Sequence, residues 1–300
     1  MRDDTLLIVL TFALGAVLAH VSLCALAGMQ QLVQRRQGQG LLRLAVTASA
    51  AGLVLLALNR LHPLQVLLPA SHPLNRDLLL GGVLLGVGSL INGGCYLGSV
   101  QYLGTGNLNF LFTLLGIGAG LRLARPDFLL LATHGAMAMG VTWWAGMLGF
   151  STLLLLVLLS AARLVWWPLL AGTLAGLVYA RHPAWSYGRV IDALAHGAWQ
   201  RSSWPANLAA LGLFAGAVSS SVLAGRWRVQ APTLGRSARC LLGGALMGWG
   251  GALIPGGNDM LLLWSVPGLA AYGFIAYGCM LLTLAALLVI GQLGHSSAAR

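Results

Sequence analysis

The sequence predicts an all-α integral membrane protein of about nine transmembrane helices, built as two inverted repeat halves. Three observations carry that expectation. Hydrophobic residues make up 58% of the 300 and charged residues 8%, more apolar surface than a soluble domain of this length can hide. The apolar residues fall into runs of spanning length. The glycine pattern of one run also returns later in the chain.

The runs lie at 5–28, 41–60, 78–100, 107–123, 127–158, 165–180, 206–225, 238–262 and 268–292, and a span needs about 20 apolar residues. The run 127–158 is long enough for a tilted or a broken helix. The run 165–180 is short, as broken helices often are. Met1-Arg2-Asp3-Asp4 leads into the first run without a small-residue cleavage site, so residues 5–28 are expected as a retained span.

Charge narrows the function. The chain has no lysine and no glutamate; its 17 basic residues are arginines and its six acids aspartates, for a net charge of +11. In a soluble protein that balance suggests nucleic acid. Here the arginines sit between apolar runs and read as loop anchors at lipid headgroups, so the expected surroundings are a lipid bilayer with no nucleic-acid partner. The arginine count leaves orientation open. None of the four cysteines forms a CxxC pair, so neither a disulfide framework nor a metal site is expected, and no cofactor. HExxH, P-loop and catalytic-serine motifs are absent, which points away from an enzyme.

The repeat sets the organisation. Leu80-Gly81-Gly82-Val83-Leu84-Leu85-Gly86-Val87-Gly88 returns as Leu242-Gly243-Gly244-Ala245-Leu246-Met247-Gly248-Trp249-Gly250, an offset of 162. Gly15 to His20 aligns with Gly176 to Arg181, and Cys24 then falls opposite Trp185. The halves are 1–123 and 165–300, joined by a connecting span at 124–164. Four spans, one connector and four spans turn the second half upside down relative to the first.

Each copy runs into a second glycine cluster, Asn92-Gly93-Gly94-Cys95 and Pro255-Gly256-Gly257-Asn258-Asp259. Non-helical backbone at membrane depth survives only inside protein or along a wet cavity, and paired breaks are a pointer to a substrate path. Tight packing is the alternative, above all for Gly82-xxx-Gly86 and Gly244-xxx-Gly248. Cys95, at the first break, is either a small hydrophobe or a soft hydrogen-bond donor. Cys24 follows His20 by four residues, which on a helix puts both on one face. Asp259 is the one acid inside the apolar body of the chain, and carries a coupling proton, binds a cation or caps a half-helix. Asn107 either lines the path or caps a loop; Trp185 either closes the opposite entrance or anchors at the interface. Cys240 and Cys279 read as packing residues.

At three places, His20-Val21-Ser22-Leu23-Cys24-Ala25-Leu26-Ala27-Gly28, Gly81 to Gly98, and Gly243 to Gly257, the chain resembles the YeeE/YedE family of bacterial sulfur-compound transporters. The resemblance implies an hourglass with inverted halves and short re-entrant helices, in the bacterial inner membrane. It implies uptake of thiosulfate or a related small sulfur anion past cysteines that donate S–H hydrogen bonds, with Cys24 at the entrance and Cys95 at the central constriction. The family's third relay cysteine follows the second break, where this chain has Gly257-Asn258-Asp259; Cys279 does not replace it by position. The alternative reading is a membrane partner subunit that delivers or anchors a sulfur-processing enzyme, with a cytoplasmic sulfur-carrier protein as partner.

Overall fold

The computed structural model describes residues 2–70, 72–124, 141–161, 165–183, 185–197, 204–254 and 256–298. They form helices α1 (Arg2–Leu18), α2 (Ala25–Arg35), α3 (Gln39–Leu61), α4 (Arg76–Asn92), α5 (Tyr96–Gly104), α6 (Leu111–Leu123), α7 (Val141–Ala161), α8 (Trp166–Arg181), α9 (Tyr187–Ala195), α10 (Trp204–Leu223), α11 (Leu234–Leu253), α12 (Asn258–Met260) and α13 (Ala271–Ala298). A π-helical turn, Leu261–Ser265, continues α12. Among the described residues there is no β-strand, only an isolated bridge between Asn107 and Gln230.

Burial is distributed as a bilayer demands. Leu115, Leu148, Leu159, Leu211 and Leu282 face outward, while Thr11, Thr47, Ser89, Asn92, Ser99, Asn258 and Asp259 are buried. A water-soluble fold would reverse that arrangement, since apolar surface is favourably solvated only by lipid. Among the described residues, four helical stretches are long and apolar enough to cross a membrane: Gln39–Leu61, Arg76–Gly104 (α4 and α5 together), Trp204–Leu223 and Ala271–Gln292. A fifth is the pair Leu234–Leu253 and Asn258–Ser265, bent by 58° at the second break. The stretches Asp4–Leu18, Leu108–Leu123 and Trp143–Leu159 are apolar but shorter.

The first span is shorter than the sequence suggests. The apolar run continues to residue 28, but α1 ends at Leu18 and α2 begins at Ala25. Val21 and Leu23 are buried in the intervening turn, so hydropathy stays high where the helix has already stopped. His20 and Cys24 therefore do not share a helix face. Of the run 127–158, residues 141–158 fall in α7; the rest lies outside the described residues.

Packing pairs the two halves. α1 packs on α10 and α3 on α8; α6 packs on α11 and α13 on α4; α6 meets α9 and α13 meets α2. Exchanging each helix with its counterpart in the other half (α1 with α8, α2 with α9, α3 with α10, α4 with α11, α6 with α13) maps every one of these pairs onto another. The central pair α4 and α11 maps onto itself.

Glycine makes the tightest of these contacts. A Cβ on Gly244 would lie 2.5 Å from the Thr113 carbonyl oxygen of α6, and one on Gly248 would lie closer still to the Ile117 carbonyl. Gly82 and Gly86 meet α13 in the same way, at the carbonyls of Ala276 (2.9 Å) and Met280 (3.0 Å). The small-residue pairs thus bring helix backbones together.

Candidate functional site

α4 stops because Gly93 adopts a left-handed conformation, φ 72°, which glycine takes without the Cβ clash that other residues suffer. Asn92 then pins the break. Its Nδ2 donates to the Gly94 carbonyl (2.6 Å) and to Ser99 Oγ (3.3 Å), and its Oδ1 accepts from Thr113 Oγ1 (2.6 Å). Ser99 in turn donates to the Cys95 carbonyl at 3.0 Å. A buried amide with every near neighbour polar and bonded is a rigid support.

Both candidate cysteines occupy helix N-caps: Cys24 precedes α2, Cys95 precedes α5, and each is extended. The Cys95 backbone N–H donates to Cys24 Sγ at 3.4 Å. Each sulfur faces the amide of the third residue of its own helix, Ala27 and Gly98. A sulfur is a weaker acceptor than the oxygen of Ser or Asp, so these are loose caps that leave two helix N-termini aimed at the thiols. The pair brackets Gly98, where a Cβ would lie 2.8 Å from Cys24 Sγ and 3.8 Å from Cys95 Sγ. Both thiols are buried.

The second break meets the first at Tyr96. Its backbone N–H donates to Asn258 Oδ1 at 3.1 Å, so the first residue of α5 is tied to the first residue of α12. The Tyr96 hydroxyl donates to the Met247 carbonyl (3.3 Å), and its own carbonyl accepts from the Tyr187 hydroxyl (2.9 Å). Gly257 packs on the Tyr96 ring; a Cβ there would come within 2.7 Å of Cε1 and of Asp259 Oδ1. Gly256 takes φ 103°. Pro255 lies outside the described residues.

Three buried polar atoms at this junction have no partner among the described residues: Asn258 Nδ2, Asp259 Oδ1 and the Tyr277 hydroxyl. Buried groups of this kind are rare in folded proteins. Asn258 acts on the Cys95 thiol, and the Tyr277 hydroxyl lies within electrostatic reach of both sulfurs. The Asp259 carboxylate faces the Met260 amide in the first turn of α12, while Oδ1 has no partner among the described residues. Chemically, the cluster offers two thiols, an amide N–H pair and a phenol as neutral donors, with helix N-termini behind them. That combination lowers the cost of burying an anion without a fixed countercharge.

The remaining candidates stand apart from the thiols. Asn107 caps the short turn Leu108–Phe110, accepting from the Asn109 backbone (3.2 Å) and side chain (3.0 Å). Trp185 donates from Nε1 to the Ala206 carbonyl of α10 at 3.2 Å. His20 turns toward α10 and α8: Nε2 pairs with Ser220 Oγ (2.8 Å), Nδ1 with Arg226 Nη2 (3.1 Å), and the ring stacks on Trp167 at 4.3 Å. Cys279 donates to the Leu79 carbonyl and packs beside Gly82. Cys240, read from sequence as packing, lies at the first break with Sγ 3.9 Å from the Asn92 carbonyl. Tyr96 falls inside the Gly81 to Gly98 stretch that carries the resemblance, whereas Tyr277 and Cys240 carry no sequence signal beyond their place in apolar runs. A cavity of 590 Å³ between α3, α7 and α13 is lined by apolar residues and Ser49 and does not include the thiols. Among the described residues no three His, Cys, Asp or Glu converge as metal ligands.

Apolar outer helices around a donor-lined junction of broken helices define a multi-pass membrane protein. Comparison with known families agrees. A family model described as Sulphur transport matches residues 20–176 and again 149–286, and the chain belongs to this sulfur transport family, YeeE/YedE. Two matches along one chain parallel the repeated element order. No curated protein matches the chain.

Proposed function

We propose that the protein takes up thiosulfate or a related small sulfur anion across the bacterial inner membrane, along a path past Cys24, Cys95 and the Gly256–Asp259 break. The observation that carries this reading is the convergence of both N-cap thiols on Gly98 beside the Asn258 amide. Thiols suit a soft sulfur ligand better than a hard oxyanion, and neutral donors allow release as well as binding. Pro255, at the head of the second break, belongs to the same proposed path. His20, Asn107 and Trp185 serve the scaffold in this reading, since each is bonded away from the sulfurs.

The architecture proposed is two inverted halves, 1–123 and 165–300, around a connecting span. Nine crossings are α1, α3, α4 with α5, α6, α7, α8, α10, α11 with α12, and α13. The offset of 162 supports the inversion, because Tyr96 and Asn258 occupy equivalent positions and bond to each other. Purified protein in liposomes, supplied with labelled thiosulfate, tests the function: accumulation supports it, and no flux of any sulfur anion refutes it. Flux that appears only when a sulfur-carrier protein or second subunit is added favours the role of a partner subunit.

A further inference from the structure

Arg236 lies in the first turn of α11, and Cys240 follows it by one turn on the same helix face. The Arg236 guanidinium rests on the first break. A Cβ on Gly93 would be 2.7 Å from Nη2 and 2.8 Å from Nη1, so the guanidinium lies directly against the glycine. The guanidinium stands over the Phe110 ring, 5.2 Å from its centroid. Phe110 stacks on Tyr102 at 4.5 Å, and Gly94 packs against both rings, with 3.2 Å from its notional Cβ to each. The hydroxyl of Tyr102 lies within electrostatic reach of Arg236 on one side and of Cys24 and Cys95 on the other.

The charge has no counter-ion among the described residues. Arg236 forms no ion pair with a described residue, and Tyr102 Oη makes no hydrogen bond with one. The buried acid Asp259 acts on Tyr96, Tyr179 and Tyr187 but not on Tyr102. A half-buried guanidinium held by an aromatic face, with no carboxylate beside it, is an anion site by its chemistry. Arginine presents a planar fork of N–H donors matched to two oxygens of a small oxyanion.

We propose that Arg236 and Tyr102 form an anion-holding site at the mouth of the thiol pair, taking the oxygens of a small sulfur oxyanion on the guanidinium and handing the ion to Cys24 and Cys95. This rests on the transport reading and adds a division of labour to it. The guanidinium recognises the sulfonate oxygens that thiosulfate shares with sulfate. The thiols recognise the terminal sulfur that sulfate lacks.

The test uses the full-length protein, with thiosulfate and sulfate as probes, in two arms: calorimetric binding in detergent and uptake into liposomes. Arg236→Ala is expected to weaken binding of both anions by about tenfold to a hundredfold and to raise the uptake KM by a similar factor. Arg236→Lys, which keeps the charge without the fork, is expected to recover part of that loss. Tyr102→Phe is expected to raise KM severalfold, while Cys95→Ala weakens thiosulfate alone. Unchanged binding and KM in Arg236→Ala overturn the site and leave the transport reading standing. Arg236-dependent binding without flux in the wild type has the opposite meaning: the site stands and the transport reading falls. Absence of both binding and flux in the wild type overturns both.

Discussion

Tyr96 donates its backbone N–H to Asn258 Oδ1 at 3.1 Å, and by that one bond the N-termini of two short helices from opposite halves of the chain are locked face to face. Asn258 uses only half of its amide in doing so. Its Nδ2 has no described partner and acts on the Cys95 thiol. The residue therefore ties the scaffold with one atom, and in the proposed path it meets the solute with the other.

Those two uses separate under mutation. Asn258→Asp keeps the acceptor for Tyr96 but loses the donor; Asn258→Ala loses both. Asn258→Ala is expected to cost about 1–3 kcal/mol, the range for a buried amide left unpaired, read as a lower unfolding temperature in detergent. Asn258→Asp is expected to fold closer to wild type yet transport poorly, because a second carboxylate beside Asp259 repels an anion. Equal uptake by wild type and Asn258→Asp contradicts the donor role.

Gly98 sets the width between the sulfurs. A methyl group there falls 2.8 Å from Cys24 Sγ, closer than van der Waals contact. Gly98→Ala is expected to depress uptake at least tenfold with both thiols intact and reactive; the check is uptake alongside thiol labelling of the unfolded chain. Gly235→Ala, at a position with nothing within 4 Å, is the control and is expected to behave as wild type.

The α6–α11 seam is a matter of stability. Gly248→Leu forces a branched side chain against the Ile117 carbonyl, and overpacking of this kind costs about 1–3 kcal/mol or more. A drop in the unfolding temperature of detergent-purified protein is expected, with the surviving folded fraction still binding thiosulfate. An unshifted unfolding temperature contradicts the packing role.

His20 is the exposed residue of the otherwise largely buried turn between α1 and α2, and its environment makes this turn sensitive to acid. Burial, and then the neighbouring Arg226, hold its imidazole below the ordinary value of 6.5. Folding therefore favours the neutral ring, whose Nδ1 accepts from Arg226 while Nε2–H donates to Ser220. For a group whose value is lowered in the folded state, the stabilisation is present above 6.5 and fades as pH falls through the folded value. The unfolding temperature is expected to decline below pH 6.5 in the wild type more than in His20→Gln. Parallel pH profiles contradict this reading.

Asp259 bears on coupling. Asp259→Asn removes a buried carboxylate whose Oδ1 is unpaired and is expected to fold at least as well as wild type. If the carboxylate carries a coupling proton, the variant lets thiosulfate equilibrate across liposomes but no longer concentrates it under an imposed proton gradient. Retained accumulation assigns Asp259 to capping at Met260 alone.

Much of this was legible in the sequence because glycine leaves a periodic mark. The two copies of the motif located both breaks and the helix faces that pack through Gly82, Gly86, Gly244 and Gly248. The first helix was misjudged for a physical reason. Val21 and Leu23 keep the turn apolar because it is buried, and hydropathy registers burial as readily as helicity. Tyr277, Cys240, Tyr102 and Arg236 were not legible, since each reaches the site across a long stretch of chain and none stands out from its local pattern. Trp185 and Asn107 stood out locally but are bonded to Ala206 and Asn109, away from the sulfurs.

The most direct measurement is uptake of sulfur-labelled thiosulfate into liposomes holding wild type, Cys24→Ala, Cys95→Ala or the double variant, each shown to be folded by its unfolding temperature. Conduction past the thiol pair requires each single variant to lose at least nine-tenths of the initial rate, and the double variant to lose little more, as expected for groups acting as a unit. Wild-type rates in Cys95→Ala would contradict it.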